Sequence, residues 1–555
     1  MPRIFVPALG ALLLLVALFS PVYSQSVKTA IVDKAEAERW REDLRYMAEQ
    51  MALRHNNLFH TMTREQFDAA VRRLNERIPQ LARHQIIVEM ARIAAMVGDG
   101  HTNVSLTRDS KICFRALPVK LYLFKDGMFV RAAERSHAEM VGARVVKIGT
   151  ADADEAVARV REIIGHDNEM GVKFFAPHLL VMPEVLHALG LVEDMEAVSL
   201  TVEQAGKRRE VTLHPAGAAD IIPPDTDTTW MPKAGWVDMR DAAPAPLWVK
   251  DATDKFWFEY LKDRRALYVQ INQVLDKEAE TFAAFSRRLL AFLEANDVEK
   301  LVLDLRLNRG GDGELLRPLE IGLIKSTIDQ RGRLFVLMGR GTWSAAQFFL
   351  DHLEKYTNAI FVGEPSASRG NHYGDSRRIM LPQSQISVRV SVYYWQEWHP
   401  QDTRKWTAPD VTAEMSSEDY RGGADPALKA VLDYTPRKPL ADVLNEALTA
   451  GGAELAAKKF REFKSDPLNR YAATEEPLLA AGQRLLDEKK PEQALVLFKL
   501  NEEENPHSFR AYFAIAEAQL WLGNKAEAIR NLERALELNP KSYDVAESLR
   551  QTRQQ

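Results

Sequence analysis

The sequence predicts an α/β multidomain protein, on three observations. Strands alternate with helices from about Phe256 to Tyr356, the stretch from Ala35 to Ala95 reads as helix, and a 34-residue period runs through the last 85 residues. At 555 residues the chain is too long for one core, and about one domain per 150 residues suggests three or four. The expected order is an N-terminal helical region, a β-rich domain, an α/β sheet core and a C-terminal α-helical repeat module. The formal net charge of -5 provides no basic field and no block of like charge, so a nucleic-acid partner is not expected.

Residues 1–24 read as a signal peptide. Arg3 precedes an apolar run from Ile4 to Val22, and V-Y-S ending at Ser24 has the small or short residues that a signal peptidase accepts. The protein is therefore expected to be exported, periplasmic or secreted in a bacterium, with no integral membrane segment in the mature chain. Pro7, Pro21 and the lack of a strongly basic flank disfavour an anchor. Cys113 is the only cysteine, so stability must come from large cores and not from disulfides.

Residues 25–110 form the helical region. Thr63 and Gln66 make a capping box, and Phe67, Ala70, Val71, Leu74 and Ile78 follow at the spacing of one buried helix face. A second helix, His84 to Val97, stops at G-D-G-H-T (Gly98–Thr102), and Thr102, Val104 and Leu106 then alternate like a strand. His101 thus sits at a helix-to-strand corner directly after a glycine-rich turn, which makes it a candidate for chemistry.

Residues 111–216 are β-rich. Asp126-Gly127 supplies a hairpin turn, and Ala143–Ile148, the helix Ala156–Ile164 and a hairpin around Gly206-Lys207 follow. That order, with G-A-R-V-V-K-I-G-T (Gly142–Thr150), resembles a PDZ-like domain carrying an insertion. Pro and Asp crowd residues 217–254, which read as a linker or long loop. Residues 255–435 carry the strand-helix alternation of a sheet with parallel pairs, whose carboxyl-end loops converge on one cleft. Residues 436–555 are tetratricopeptide-like: Pro506 and Pro540, Ala494 and Ala528, Gly482 and Ala516, and Phe498 and Leu532 each lie 34 apart. The helical pair Ala441–Lys464 and the helix Tyr543–Arg553 are expected to cap the stack, and the module either docks a protein partner or covers the core.

Two loops in the core carry the candidate chemistry. The strand Leu301–Leu305 runs into Asn308-Arg309-Gly310-Gly311, and the strand Leu334–Met338 runs into Gly341-Thr342-Trp343-Ser344, where a helix begins. A serine hydroxyl needs a base to take its proton and donors to hold the oxyanion. At a helix start the Ala345 amide, aided by the helix dipole, supplies one donor, and Gly311 is a candidate for the second. Taken alone, Ser344 reads equally as a plain N-cap.

These motifs resemble those of the C-terminal-processing (tail-specific) serine peptidase family, which includes the tricorn core protease. Asp304 to Gly311 resembles its D-L-R-x-N-x-G-G, Gly341 to Ala346 its serine loop, and Gly363-Glu364-Pro365-Ser366 its G-E-x-T segment. The resemblance covers about residues 255–435 and extends upstream to residue 35 through G-D-G-H-T. It implies a sheet-based protease core that cleaves peptides through an acyl-enzyme, with Ser344 as nucleophile and Gly311 and Ala345 as oxyanion hole. The chain departs from the processing branch at its base, because Ser368-Arg369-Gly370 stands where a lysine is expected and arginine stays protonated. The tricorn branch instead uses a histidine from the amino-terminal helical region, and His101 matches that position. The acid that orients it is expected shortly before Trp406-Thr407-Ala408-Pro409-Asp410, which points to Asp402, with Glu397 as the alternative acid.

Thr342 breaks the G-x-S-x-G elbow of α/β-hydrolases, H-E-x-x-H is absent and no His/Cys cluster has ligand spacing, so neither a metal nor a cofactor is expected. Asp304 and Arg306 read as a brace, His372 as a substrate contact, and Tyr393-Tyr394-Trp395 as a mostly buried strand. The expected function is that of an exported serine-type endopeptidase acting on a peptide or protein. The rivals are a weakly active or inactive peptide-binding protein of the same fold, with the repeats as docking site, and an esterase-like hydrolase using the same residues.

Overall fold

A computed structural model describes residues 31–218, 230–400 and 402–554. The expected signal peptide lies outside the described residues. Among them, no helix is long and apolar enough to cross a membrane.

Three helices, Lys34–Arg54, Arg64–Arg77 and Arg83–Ala95, make up the amino-terminal region, and the Thr63–Gln66 capping box is formed. Leu44, Met47, Phe67, Leu74, Ile86 and Met90 point into an apolar core that continues through Val130, Val145, Val198 and Leu213 of the β-rich region. The two regions therefore share one core. Seven strands in antiparallel pairings build the β-rich sheet: Val119–Phe124, Gly127–Glu134, Arg144–Ile148, Ala151–Asp152, Val198–Gln204, Lys207–Leu213 and Trp236–Asp238. Gly127, at φ +131, makes the expected tight turn. The helix Ala153–Arg161 is present, and residues 165–197, where no periodicity predicts an element, carry two further helices, Glu169–Leu179 and Pro183–Ala188.

The stretch read as a linker is packed from Trp230 onward. Trp236–Asp238 pairs with Gly127–Glu134, and Trp230, Met239, Trp248 and Val249 are buried with Phe124, Leu307 and Tyr420 between the β-rich sheet and the core. Proline and aspartate density marks irregular backbone here without marking exposure.

Six strands form the core sheet in the order Phe256–Leu261, Ala266–Ile271, Lys300–Asp304, Leu334–Met338, Ile360–Gly363 and Val411–Thr412. The first pair is antiparallel and the rest are parallel. Ala266–Ile271 and Leu334–Met338 are buried along their whole length, because helices cover both faces, which is why they read as unbroken apolar runs. Phe282–Ala295, Arg317–Lys325 and Ala345–Tyr356 cover one face, and Pro426–Leu432 covers the other. Beyond this sheet, Asn371–Gly374 pairs with Tyr393–Gln396. Arg377–Met380 pairs with Ser387–Val390, whose other edge takes Asn103–Val104 in antiparallel register, Asn103 opposite Arg389 and Val104 opposite Val388. That pairing stitches the strand after His101 to the strands that follow the core sheet.

The carboxyl-terminal helices are Leu440–Ser465, Glu475–Asp487, Pro491–Glu504, Phe509–Trp521, Lys525–Leu538 and Tyr543–Gln554. Gly482 is small because a Cβ there would meet Phe498 at 2.2 Å, and one period later Ala516 and Leu532 are fully buried. At the base of the stack the Tyr471 hydroxyl donates to Glu414 at 2.8 Å and Arg470 reaches the same carboxylate at 2.8 Å.

Candidate active site

The serine turn is held by its neighbouring strand. Gly339 N–H donates to Thr342 Oγ1 at 3.1 Å, Thr342 Oγ1 donates to Leu305 O at 2.9 Å, and Trp343 N–H donates to Asn308 O at 3.0 Å. Ser344 is thereby forced to φ 59 and ψ -124, a conformation that costs a non-glycine residue on the order of 1–3 kcal/mol. It stands at the N-cap position of Ala345–Tyr356, yet its side chain makes no capping hydrogen bond. The hydroxyl is not used to finish the helix.

Gly310 covers the serine. A Cβ at Gly310 would lie 2.7 Å from Ser344 Cβ, 2.8 Å from Ala345 N and 3.1 Å from Ser344 Oγ, and φ there is +102. Its amide donates to Asn308 Oδ1 at 2.9 Å. Gly311 packs on the other side, against Val274, whose N–H donates to Gly310 O and whose O accepts from Asp312 N–H. Among the described residues, the N–H groups of Gly311 and Ala345 have no protein acceptor.

The histidine corner is built around Asp99. Its buried carboxylate accepts from His101 N–H at 2.8 Å, Thr102 N–H at 2.7 Å, Ser391 Oγ at 2.8 Å and His55 Nε2 at 2.9 Å. Burial pushes the Asp99 carboxyl up, but the hydrogen bond and charge of His55 win and hold it below its ordinary value. Thr102 Oγ1 and Ser391 are bonded as well, with Ser391 N–H donating to Thr102 Oγ1 at 3.0 Å. The corner is thus clamped to the strand Ser387–Val390.

His101 then packs, tilted, against the residue before the serine: its ring lies 4.5 Å from Trp343, and it stacks at 5.8 Å on His372, which lies 5.4 Å from Phe348, one turn into the serine helix. Burial lowers the His101 pKa to about 3, with His372 adding to the fall and Asp99 opposing it. Burial also lowers His372 to about 4. Both imidazoles are neutral at neutral pH, and burial makes each a weaker proton acceptor than a free imidazole. His372 Nδ1 lies 2.9 Å from Arg369 O, so that nitrogen carries the hydrogen. His101 Nδ1 is buried without a hydrogen-bond partner.

The two candidate acids are engaged elsewhere. Asp402 pairs with Arg404 Nε at 3.0 Å, and Arg404 also holds Glu354. Glu397 accepts from His352 Nε2 at 2.9 Å while Glu320 takes its Nδ1 at 2.7 Å, and the two carboxylates raise the His352 pKa to about 9. The expected hydrogen bond from the His101 ring to Asp402 or Glu397 is not among those of the described residues, because Arg404 takes Asp402 and His352 takes Glu397. Arg369 is turned away from base chemistry, its Nε donating to Asp167 O at 3.0 Å. Asp304 and Arg306 brace the loop as expected, with Asp425 and the Tyr268 hydroxyl completing the cluster.

His372 lies between the His101 ring and Phe348 of the serine helix. The roles of Asp99 and Asp167 had no signal beyond glycine-flanked position in one case and none in the other. A cavity of about 590 Å³ between the β-rich sheet and the core is lined by Tyr122, Trp230, Trp248 and Arg340, and neither Ser344 nor His101 borders it. No cluster of three or more His, Cys, Asp or Glu residues suited to a metal occurs among the described residues.

The tetratricopeptide repeat family profile matches residues 485–551. No curated protein sequence matches the chain. Among solved structures, mature CPAF complexed with lactacystin is similar at 13% identity, covering 72% of this chain and 99% of that one with a TM-score of 0.48. The photosystem II D1 C-terminal processing protease is similar at 15% identity over 71% of this chain and 96% of that one, with a TM-score of 0.33. MamA is similar to 20% of this chain at 26% identity, over 60% of its own length, with a TM-score of 0.16.

Proposed function

We propose that this chain is an exported serine-type peptidase that cleaves peptide bonds through an acyl-enzyme on Ser344. The observation that carries the reading is the strained, uncapped Ser344 at a helix start, covered by a glycine that leaves its hydroxyl and the Ala345 amide open. In this mechanism Ser344 Oγ attacks the scissile carbonyl carbon as its proton passes to His101. The carbonyl oxygen, now an oxyanion, takes hydrogen bonds from the Ala345 and Gly311 amides. The C–N bond then breaks, the imidazolium protonates the departing amine, and water activated by His101 hydrolyses the ester. Asp402 is assigned as the orienting carboxylate, with Glu397 as the alternative; each must first leave its present partner, so the resting site holds the base without its acid. The repeat module is assigned to protein docking, which the family match over residues 485–551 supports.

A second reading, a peptide-binding protein with little turnover, draws on the unpartnered His101 Nδ1. A fluorophosphonate probe separates the two. Labelling of the wild type that is lost in Ser344→Ala supports the peptidase, and a folded wild type that never labels overturns it. Profiling with peptide and ester libraries then decides between peptidase and esterase.

A further inference from the structure

The loop Gly165–Asn168 lies between the histidine corner and the segment beside the serine, and it touches both. Gly165 is wedged under the corner: a Cβ there would lie 2.3 Å from Thr102 O and 3.0 Å from Asp99 O. Asp167 Oδ1 accepts from Gly100 N–H, the amide just before His101, at 2.9 Å. On the other side, Arg369 Nε donates to Asp167 O at 3.0 Å. Asn168 Nδ2 donates to Ser366 O at 3.1 Å and to Lys405 O at 2.8 Å, while its Oδ1 caps the helix Glu169–Leu179 through Met170 N–H at 2.8 Å. The segment so held is the one that touches the serine turn: Ala367 N–H donates to Thr342 O at 3.1 Å, and Ser344 N–H donates to Ser368 Oγ at 3.4 Å. Asp167 is 6% exposed, and its Oδ2 is buried without a hydrogen bond of ordinary geometry.

We propose that Asp167 is a positioning residue of the acyl-transfer site: its carboxyl group fixes the His101 corner through Gly100, while its own carbonyl and the neighbouring Asn168 side chain tie the same loop to the Ser366–Arg369 segment beside Ser344. The inference rests on the peptidase reading above. A buried acceptor left unbonded is costly, so the bond from Gly100 fixes the corner on this loop, and the same four residues carry the contacts to the serine side.

The groups that face Asp167 are Asp99 beyond Gly100, the Arg369 guanidinium and the Ser368 hydroxyl, with His166 beside it in the chain and Arg309 lining the same small pocket. Burial raises its carboxyl to about 7, Asp99 adds to the rise and Arg369 opposes it. Ionised, the carboxylate can accept from both Gly100 N–H and the Ser368 hydroxyl, whose oxygen stays available to Ser344 N–H. Protonated, Oδ2 becomes a donor and the Ser368 hydroxyl proton loses that acceptor. Acylation is therefore expected to rise with pH through about 7.

The test is the second-order rate of fluorophosphonate labelling of the full chain between about pH 5.5 and 8.5, for wild type, Asp167→Asn, Asp167→Ala and Ser344→Ala, with circular dichroism as the check on folding. Asp167→Ala is expected to label about 30-fold more slowly across the range, as a displacement of one loop against the other requires. Asp167→Asn keeps an oxygen for Gly100 and cannot ionise, so it should recover to within about threefold of wild type at low pH and lose the inflection. A wild-type rate in Asp167→Ala, or an inflection that persists in Asp167→Asn, overturns the proposal while leaving the peptidase reading intact. If Asp167→Ala does not fold, the Asn variant alone decides through its pH profile. A folded wild type that does not label, or labelling that survives in Ser344→Ala, overturns the peptidase reading itself.

Discussion

The serine turn and the histidine corner meet at Trp343 but are fixed by different parts of the chain. Ser344 takes its constraints from Leu305, Asn308 and Gly310, which belong to the loop of the adjacent parallel strand. The corner takes its constraints from far away: Thr102 and Asp99 bond to Ser391, 289 and 292 residues on, and Gly100 bonds to Asp167, 67 residues on. A serine turn set by neighbouring strands is present whenever the core sheet is folded. A histidine corner set by remote strand pairing and buried aspartates is in place only when the amino-terminal helices are docked. Damage to the first region should destroy the nucleophile outright, whereas damage to the second should weaken its activation.

Gly310→Ala is the sharpest way to break the serine side. The new methyl would sit 2.7 Å from Ser344 Cβ and 2.8 Å from Ala345 N, at a φ that favours glycine. Probe labelling is expected to fall by more than about 100-fold, with a lowered thermal midpoint. Labelling near the wild-type rate would show that the serine turn has room the geometry denies.

On the histidine side, Ser391→Ala removes the hydroxyl that donates to Asp99 and leaves a buried carboxylate one donor short. A cost of about 1–2 kcal/mol at the corner corresponds to roughly a tenfold slower labelling rate, while the Ser344 turn itself is untouched. Labelling kinetics beside thermal melts would separate the two; equal losses in stability and rate without a change in rate per folded molecule would show that Ser391 does not act on the corner apart from the fold.

The orienting acid gives a smaller and more selective test. Asp402→Asn is expected to slow peptide turnover by about tenfold and Glu397→Gln by less than about threefold. The reverse order would transfer the role to Glu397. Glu397→Gln carries an internal check, because Glu320 and Glu397 together hold the His352 pKa at about 9 and removal of one carboxylate must lower it, which imidazole NMR would read.

The smallest effect is expected at Arg369, which stands where the resembling family has its lysine base. Arg369→Ala should keep labelling within about threefold, since its guanidinium binds Asp167 O and takes no proton. Abolished labelling in this variant, alongside retained labelling in His101→Ala, would reverse the assignment of the base.

Much of the architecture was legible from local pattern. The Thr63–Gln66 capping box, the Asp126-Gly127 turn and the 34-residue spacing of Gly482 and Ala516 against Phe498 and Leu532 each concern residues close in the chain, where periodicity and turn chemistry act directly. Residues 165–197 gave no such signal, because Glu169–Leu179 carries an internal proline and Pro183–Ala188 is too short to show a period. The packed role of Trp230 and Trp248 was hidden for another reason: irregular backbone looks the same in sequence whether it is buried or not.

By itself, then, the sequence determined the serine turn, its two glycines and the helical caps and repeats, since each depends on neighbours a few residues or one strand away. The tertiary structure alone decided that His101 packs against Trp343 and His372, that Asp402 and Glu397 turn to Arg404 and His352, and that Asp167 reaches Gly100. Those contacts join segments tens to hundreds of residues apart. Which buried polar group finds which partner is settled by packing and desolvation together, and no local spacing records it.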